Sequence, residues 1–180
     1  RGFAVSKLDS SHETQWSARA TTGATFADVV LDEHNGLLTV PSGVGLDPGG
    51  IGKGLAADLV VDLGLGLGAR GVLVFAGGDV RLAGLPPVGD TWFVEVEDPH
   101  DQDATVATLR LTEAGIATSS PLGWTSGTAS HIVRHGADAA AVVQATVAAG
   151  SAADAEVLTK ACYALSPQDS VALVQRLGAD

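Results

Sequence analysis

Residues 49–54 read GGIGKG and residues 77–79 read GGD, and both patterns suit a phosphate-bearing ligand. Glycine brings backbone close to a ligand and accepts positive φ. Amides at a helix start attract anions. The first pattern lies in LDPGGIGKGLAAD (46–58), where four glycines surround Lys53 and an apolar helical pattern follows at once. The second closes the apolar run VLVFAGGDVR (72–81), and Asp79 there can accept hydrogen bonds from hydroxyls or an amino group. Neither is a common nucleotide loop. A P-loop needs glycine where Asp47 stands and Ser or Thr where Gly54 stands. A GxGxxG fingerprint within a βαβ unit is also absent. Ordinary turns are the competing reading, with a β-bulge and Asx turn at 77–79. Asp47 reads as a turn cap, and Asp58 as either a ligand-binding group or a helix-face charge.

Other polar groups could join such a site. Thr118, Ser119 and Ser120 offer hydroxyl donors to phosphate oxygens, or line a loop closed by Pro121. His131 is the candidate acid–base residue. His131 and His135 are spaced for a metal pair only on a helix, and their β-branched neighbours suggest a strand end instead. Glu156 and Lys160 stand at i and i+4, the spacing of an exposed helix ion pair.

The elements that must position these groups are legible in outline. Residues 1–25 are polar with little periodicity and read as an arm or loop; residues 26–180 read as one domain. Phe26–Leu31 and Leu37–Val40 are expected strands joined by DEHNG, whose Asn-Gly signals a hairpin. Ile51, Leu55, Leu59 and Leu63 recur every four residues, which predicts a helix over Gly50–Leu63. Strands are expected at 71–76, 79–84, Thr105–Leu111 and Gly115–Thr118, with Trp92, Val94 and Val96 alternating against Phe93, Glu95 and Glu97 in TWFVEVEDP, and with extended segments at Ile132–Val133 and Val142–Val147. Helices over 152–164 and 167–177 close the chain, the second opened by Ser166-Pro167. Strands and helices do not strictly alternate, so the expected class is α+β with a mixed or antiparallel sheet and flanking helices.

Composition excludes several classes. The 180 residues carry 10 Lys+Arg against 21 Asp+Glu, a net charge of −11 that argues against nucleic-acid binding. No apolar run is long enough for a membrane span. Hydrophobic residues make up 46%, enough for a core. The single cysteine, Cys162, rules out an internal disulfide and sits in an apolar helical pattern, as a buried thiol would.

The order LDPGGIGKGLAAD, GVLVFAGGDVRLAG, GIATSS (115–120), SHI (130–132) and ATVAAGSAADAEVLTKA (145–161) resembles the FAD:protein FMN transferase family, the ApbE-type flavin transferases. The resemblance runs from about Phe26 to Leu177, to the C-terminal part of the family. The family's N-terminal region, with its Met-Gly-Thr segment, has no counterpart. The resemblance implies an ApbE-like domain and Mg²⁺-dependent transfer of FMN from FAD to a threonine hydroxyl of an acceptor protein, releasing AMP. It places FAD along Gly49, Gly50, Lys53, Gly77, Gly78, Asp79, Thr118 and Ser119, and catalysis at His131. It assigns metal ligation to the Gly52 carbonyl and to Glu156, or in a slipped alignment to Asp154.

Two departures qualify that picture. After Ser130-His131-Ile132 the chain reads VRHGADAA, where the family has Asp-Pro-Arg-Thr-Gly. Lys160 stands where the family's late helix has a metal-binding threonine. A flavin- or nucleotide-binding relative without transfer, or an interaction domain, are the alternative readings. The implied partners are a flavin nucleotide and an acceptor protein, and the resemblance fits an exported or a cytoplasmic location. Residues 22–25, TGAT, look like a family acceptor segment, but Arg19 replaces its expected upstream acidic or serine residue, and a loop is the simpler reading.

Overall fold

A computed structural model describes residues 24–120, 125–126, 129–130, 142–163 and 165–180. The chain divides into two compact units, Arg1–Pro48 and Gly49–Asp180.

In the first unit, strands β1 (Val30–Asp32) and β2 (Leu37–Thr39) form the expected antiparallel hairpin. Asp32 accepts from the Asn35 backbone at 3.0 Å and Gly36 takes φ 63°, but Asn35 does not take positive φ, so residues 33–36 form a longer loop rather than the two-residue type I′ turn that Asn-Gly favours. Phe26–Asp28 is a 3₁₀ turn rather than the start of a strand. The reason is local: Asp28 accepts from both the amide and the hydroxyl of Thr25, and this capping competes with extension.

In the second unit, a 3₁₀ turn ending at Gly50 leads into helix α1 (Gly52–Gly66). Next come strands β3 (Gly71–Ala76) and β4 (Asp79–Gly84), then β5 (Trp92–Asp98) and β6 (Asp101–Leu111). Strand β7 (Ala114–Ser119) precedes a short antiparallel pair, β8 (Thr125–Ser126) and β9 (Ala129–Ser130). Strand β10 (Ala145–Ala149) and helices α2 (Ala152–Cys162) and α3 (Pro167–Arg176) follow. The main sheet has the order β10-β7-β4-β3 and is antiparallel throughout. Helix α1 lies against β3 and β4, α2 lies against β7 and β10, and the two helices touch.

Period-two alternation sorts the sheet residues between two layers. Val80, Leu82, Ala114 and Ile116 form one core with Trp92, Val94, Leu109 and Leu111 of the β5–β6 ribbon. Asp79 and Arg81, offset by one, face α1 instead. Both faces of β4 are therefore covered, and Asp79 to Ala83 are all buried. A second core joins Val147 to Leu158, Cys162 and Val174. Cys162 is buried, and burial pushes its thiol above the usual range.

The four-residue repeat of α1 marks a helix but not its inward face. Leu55, Leu59 and Leu63 are exposed, while Gly54, Ala57 and Val61 are buried. Small residues are needed inward because a Cβ on Gly54 would lie 2.3 Å from the Ala152 carbonyl oxygen of α2.

Candidate functional site

Four charged side chains from three separate segments meet at the start of α1. Lys53, on the first turn of α1, donates to Asp79 at the start of β4 and, at 3.0 Å, to Glu156 Oε1 of α2. Lys160, one turn beyond Glu156, donates to the same oxygen at 3.2 Å. The other oxygen, Oε2, accepts from the Gly54 amide at 2.9 Å. The two carboxylates are 1% and 0% exposed, whereas the Lys53 and Lys160 side chains are 44% and 32% exposed. Glu156–Lys160 is thus no exposed surface pair; its carboxylate is sealed in the interior.

Each member is placed by local chain chemistry. Ala76 pairs with Asp79, so Gly77 and Gly78 form the two-residue loop of the β3–β4 hairpin, with φ 57° and 98°. Positive φ at both central residues is what a type I′ turn demands, so the turn is not the β-bulge of the competing reading. Strand parity then turns Asp79 toward α1. A Cβ on Gly77 would lie 3.5 Å from Lys53 Cδ, and one on Gly50 would lie 4.0 Å from Lys160 Cε. These glycines keep the backbone low beside both lysine stems.

Helix α2 is held in register by a group whose role the sequence left open. Asp58 accepts from the Ala152 and Ala153 amides at 2.8 and 2.9 Å, capping α2 from outside its own sequence. Its Oδ1 also lies 3.1 Å from Arg81 Nε, an ion pair outside hydrogen-bond geometry. Arg81 further donates to Leu82 O and to Glu113. Gly115 of β7 completes the seat, since a Cβ there would lie 2.0 Å from the Ala152 amide nitrogen. No local spacing relates Asp58 to Ala152, so nothing near Asp58 in the sequence marks it as this cap.

The electrostatics follow from burial against pairing. Burial disfavours charge on Glu156, but the Gly54 amide and both lysines outweigh it and hold its carboxyl below the usual glutamate range. Burial pulls Lys53 down, yet its bonds to Asp79 and Glu156 leave it above the usual lysine range. Burial raises Asp79, and Lys53 offsets only part of that. Burial dominates at Lys160 and pushes its ammonium down.

Other expected residues lie elsewhere. Thr118 Oγ1 bonds Thr146 Oγ1, Ser119 Oγ bonds Thr159 Oγ1 in the interior, and Ser120 Oγ donates to Val143 O. Their hydroxyls are thus engaged within the protein. Asp154 is exposed and pairs with Ser151 in the N-terminal turn of α2, apart from the Glu156 cluster. His131 and His135 lie outside the described residues. Two open hollows, of about 560 and 370 Å³, are lined by other residues, among them Val106 and Pro167 in one and Leu85 and Trp92 in the other.

The described donors do not fit Mg²⁺. That ion takes near-octahedral oxygen ligands. Both oxygens of Glu156 are bound to N–H donors, two of them ammonium groups. Gly52 opens α1, where a carbonyl points along the axis to the helix's own amides. Among the described residues, no three His, Cys, Asp or Glu groups gather as a metal site.

The ApbE family model matches residues 2–180. Among solved structures, the chain is similar to the ApbE protein of Thermotoga maritima, with 27% identity and a TM-score of 0.71 over 86% of this chain and 52% of that one. It is similar to the flavinyl transferase ApbE of Pseudomonas stutzeri, in its apo form, with 26% identity and a TM-score of 0.66 over 84% and 48%. The flavin transferase ApbE of Vibrio cholerae, at 24% identity and a TM-score of 0.68 over 86% and 51%, shares the fold. The chain spans about half the length of these structures. No curated protein matches it. The α+β fold expected from the sequence is that of these structures.

Proposed function

This chain belongs to the ApbE family, and from that premise we propose that it serves a flavin transferase, moving FMN from FAD to a threonine hydroxyl of an acceptor protein and releasing AMP. The observation that carries the reading is the convergence of Lys53, Asp79, Glu156 and Lys160 beside the Gly77–Gly78 turn and the start of α1. In this reading the amides of the Gly49–Lys53 segment and the Lys53 ammonium face the diphosphate. Asp79 orients Lys53 and closes the flavin side of the site. Thr118 and Ser119 support the wall through their bonds to Thr146 and Thr159.

The transfer balances as a phosphoryl displacement. The acceptor Oγ attacks the FMN-side phosphorus, the bond to the AMP oxygen breaks, and the hydroxyl proton passes to a base. His131 is proposed as that base on its sequence context alone, in the segment that resembles the family's reactive loop. A second reading, flavin-nucleotide binding without transfer, is favoured by one observation: VRHGADAA follows Ile132 in place of Asp-Pro-Arg-Thr-Gly.

Incubation with FAD and a threonine-bearing acceptor protein tests both. Release of AMP with an FMN-sized mass gain on the acceptor supports transfer. FAD binding with no AMP supports the second reading, and failure to bind FAD overturns both.

A further inference from the structure

We propose that Lys160 is a built-in cation of this site, so that a diphosphate is bound by two ammonium groups, those of Lys53 and Lys160, and without a divalent metal. The identity of the diphosphate ligand rests on the flavin reading above; the dilysine site rests on geometry.

The layering of charge gives the first argument. The carboxylates of Asp79 and Glu156 are sealed inside, while the lysines that cover them remain partly open to solvent. A ligand approaching from solvent meets ammonium first. Spacing points the same way. Lys53 and Lys160 both bond Glu156 Oε1, at 3.0 and 3.2 Å, so one buried oxygen holds the two nitrogens side by side. An ammonium has three donors. Lys160 gives one to Glu156, and Lys53 gives one each to Asp79 and Glu156, so both keep donors for a ligand.

Room for the ligand is the third argument. Gly50 and Gly77 put bare backbone beside the stems of Lys160 and Lys53. Against a metal stands simple electrostatics. A cation near Glu156 would face two positive groups at contact range and would have to displace them from the carboxylate. The ammonium of Lys160 instead neutralises phosphate charge from a fixed position, with no metal to recruit.

Calorimetric titration with two probes, inorganic pyrophosphate and FAD, tests this, each in EDTA and in Mg²⁺. Wild-type chain should bind both in EDTA, with Mg²⁺ changing affinity less than about threefold. Lys160→Gln should weaken binding about tenfold to a hundredfold, as the loss of a charge-assisted bond does, and Lys160→Arg should keep most of it. Lys160→Thr should make the remaining binding respond to Mg²⁺. Thermal melts of each variant verify folding. Binding seen only with Mg²⁺ overturns the proposal while leaving the flavin reading intact. So does metal-free binding that ignores Lys160→Gln. Metal-free, Lys160-dependent binding of pyrophosphate without any of FAD supports the dilysine site and overturns the flavin reading. No binding of either probe overturns both.

Discussion

The Gly54 amide and the Glu156 carboxylate, 102 positions apart in sequence, are joined by a buried hydrogen bond of 2.9 Å. It ties the first turn of α1 to α2, and it fixes the carboxylate that both lysines share. Glu156→Ala removes the partner of three donors at once. The lysines can turn to water, but the Gly54 amide cannot. The expected loss is about 2–4 kcal/mol, at and below the lower end of the roughly 3–5 kcal/mol for breaking a fully buried pair. Glu156→Gln keeps a carbonyl for Gly54 and should lose about 1–2 kcal/mol. Urea unfolding of the two variants checks the order; equal losses would mean the bond to Gly54 adds little.

Gly54 and Gly52 make different predictions two positions apart. A Cβ on Gly54 meets the Ala152 backbone at 2.3 Å, whereas one on Gly52 meets nothing within 4 Å. Gly54→Ala should force α1 off α2 and cost about 1–3 kcal/mol or more, as overpacking does. Gly52→Ala, at the first helical position, should be neutral or gain a fraction of the roughly 1 kcal/mol that the same change gains in a helix interior. A Gly54→Ala melting temperature no lower than that of wild type would contradict the close contact between α1 and α2.

Much of this arrangement was legible locally, and the exceptions share a cause. The bounds of β3 and β4 and the Ser166-Pro167 helix start follow from signals within a few residues. The Thr25–Asp28 cap is just as local, but its two residues also suit a strand end, and so the first strand was expected too early. In α1, leucines on one face and Ala57 and Val61 on the other are both apolar, so periodicity could not choose the inward face. The union of Lys53, Asp79 and Glu156 depends on strand parity and on how two helices meet. Only the family resemblance, which aligned Glu156 and Lys160 with a site, pointed there. Nothing local marks Asp58 as the cap of a helix that begins 94 residues later.

Asp58 is accordingly expected to matter through α2. Asp58→Ala frees two helix amides and removes one partner of the buried Arg81. The expected destabilisation is about 1–3 kcal/mol. Hydrogen exchange should show the added opening at Ala152 and Ala153 rather than across the whole sheet. Protection at those amides equal to wild type would remove Asp58 from this role.

Lys53→Ala is expected to weaken FAD binding by about 1–3 kcal/mol, the value of one charge-assisted hydrogen bond. It also strands Asp79, which is 1% exposed. The double variant Lys53→Ala/Asp79→Asn should therefore recover stability but not affinity. Calorimetry with FAD, paired with thermal melts, separates the two effects; recovered affinity in the double variant would show that Lys53 acts only by satisfying Asp79.

The last prediction concerns acid. Glu156 is held below the usual 4.5 of a glutamate because, although burial opposes its charge, the Gly54 amide and both lysines outweigh that cost. In the unfolded chain its carboxyl takes up a proton first, so the unfolded state binds more protons and stability rises with pH over this window. The contribution of Glu156 is thus full above about the ordinary glutamate value and is lost as pH falls through its lower folded value. Asp79 has the reverse sign: burial raises it, so its effect is a cost at neutral pH that protonation relieves. Asp79 feels the Glu156 charge, so the comparison is made in an Asp79→Asn background, where the stability difference between the protein with Glu156 and the one with Glu156→Gln isolates Glu156. That difference should be constant near neutral pH and shrink steadily as pH is lowered below the glutamate range. Chemical denaturation of both proteins at a series of pH values measures it, and a difference that holds constant or grows on acidification would mean that Glu156 is not the ionised centre of the cluster.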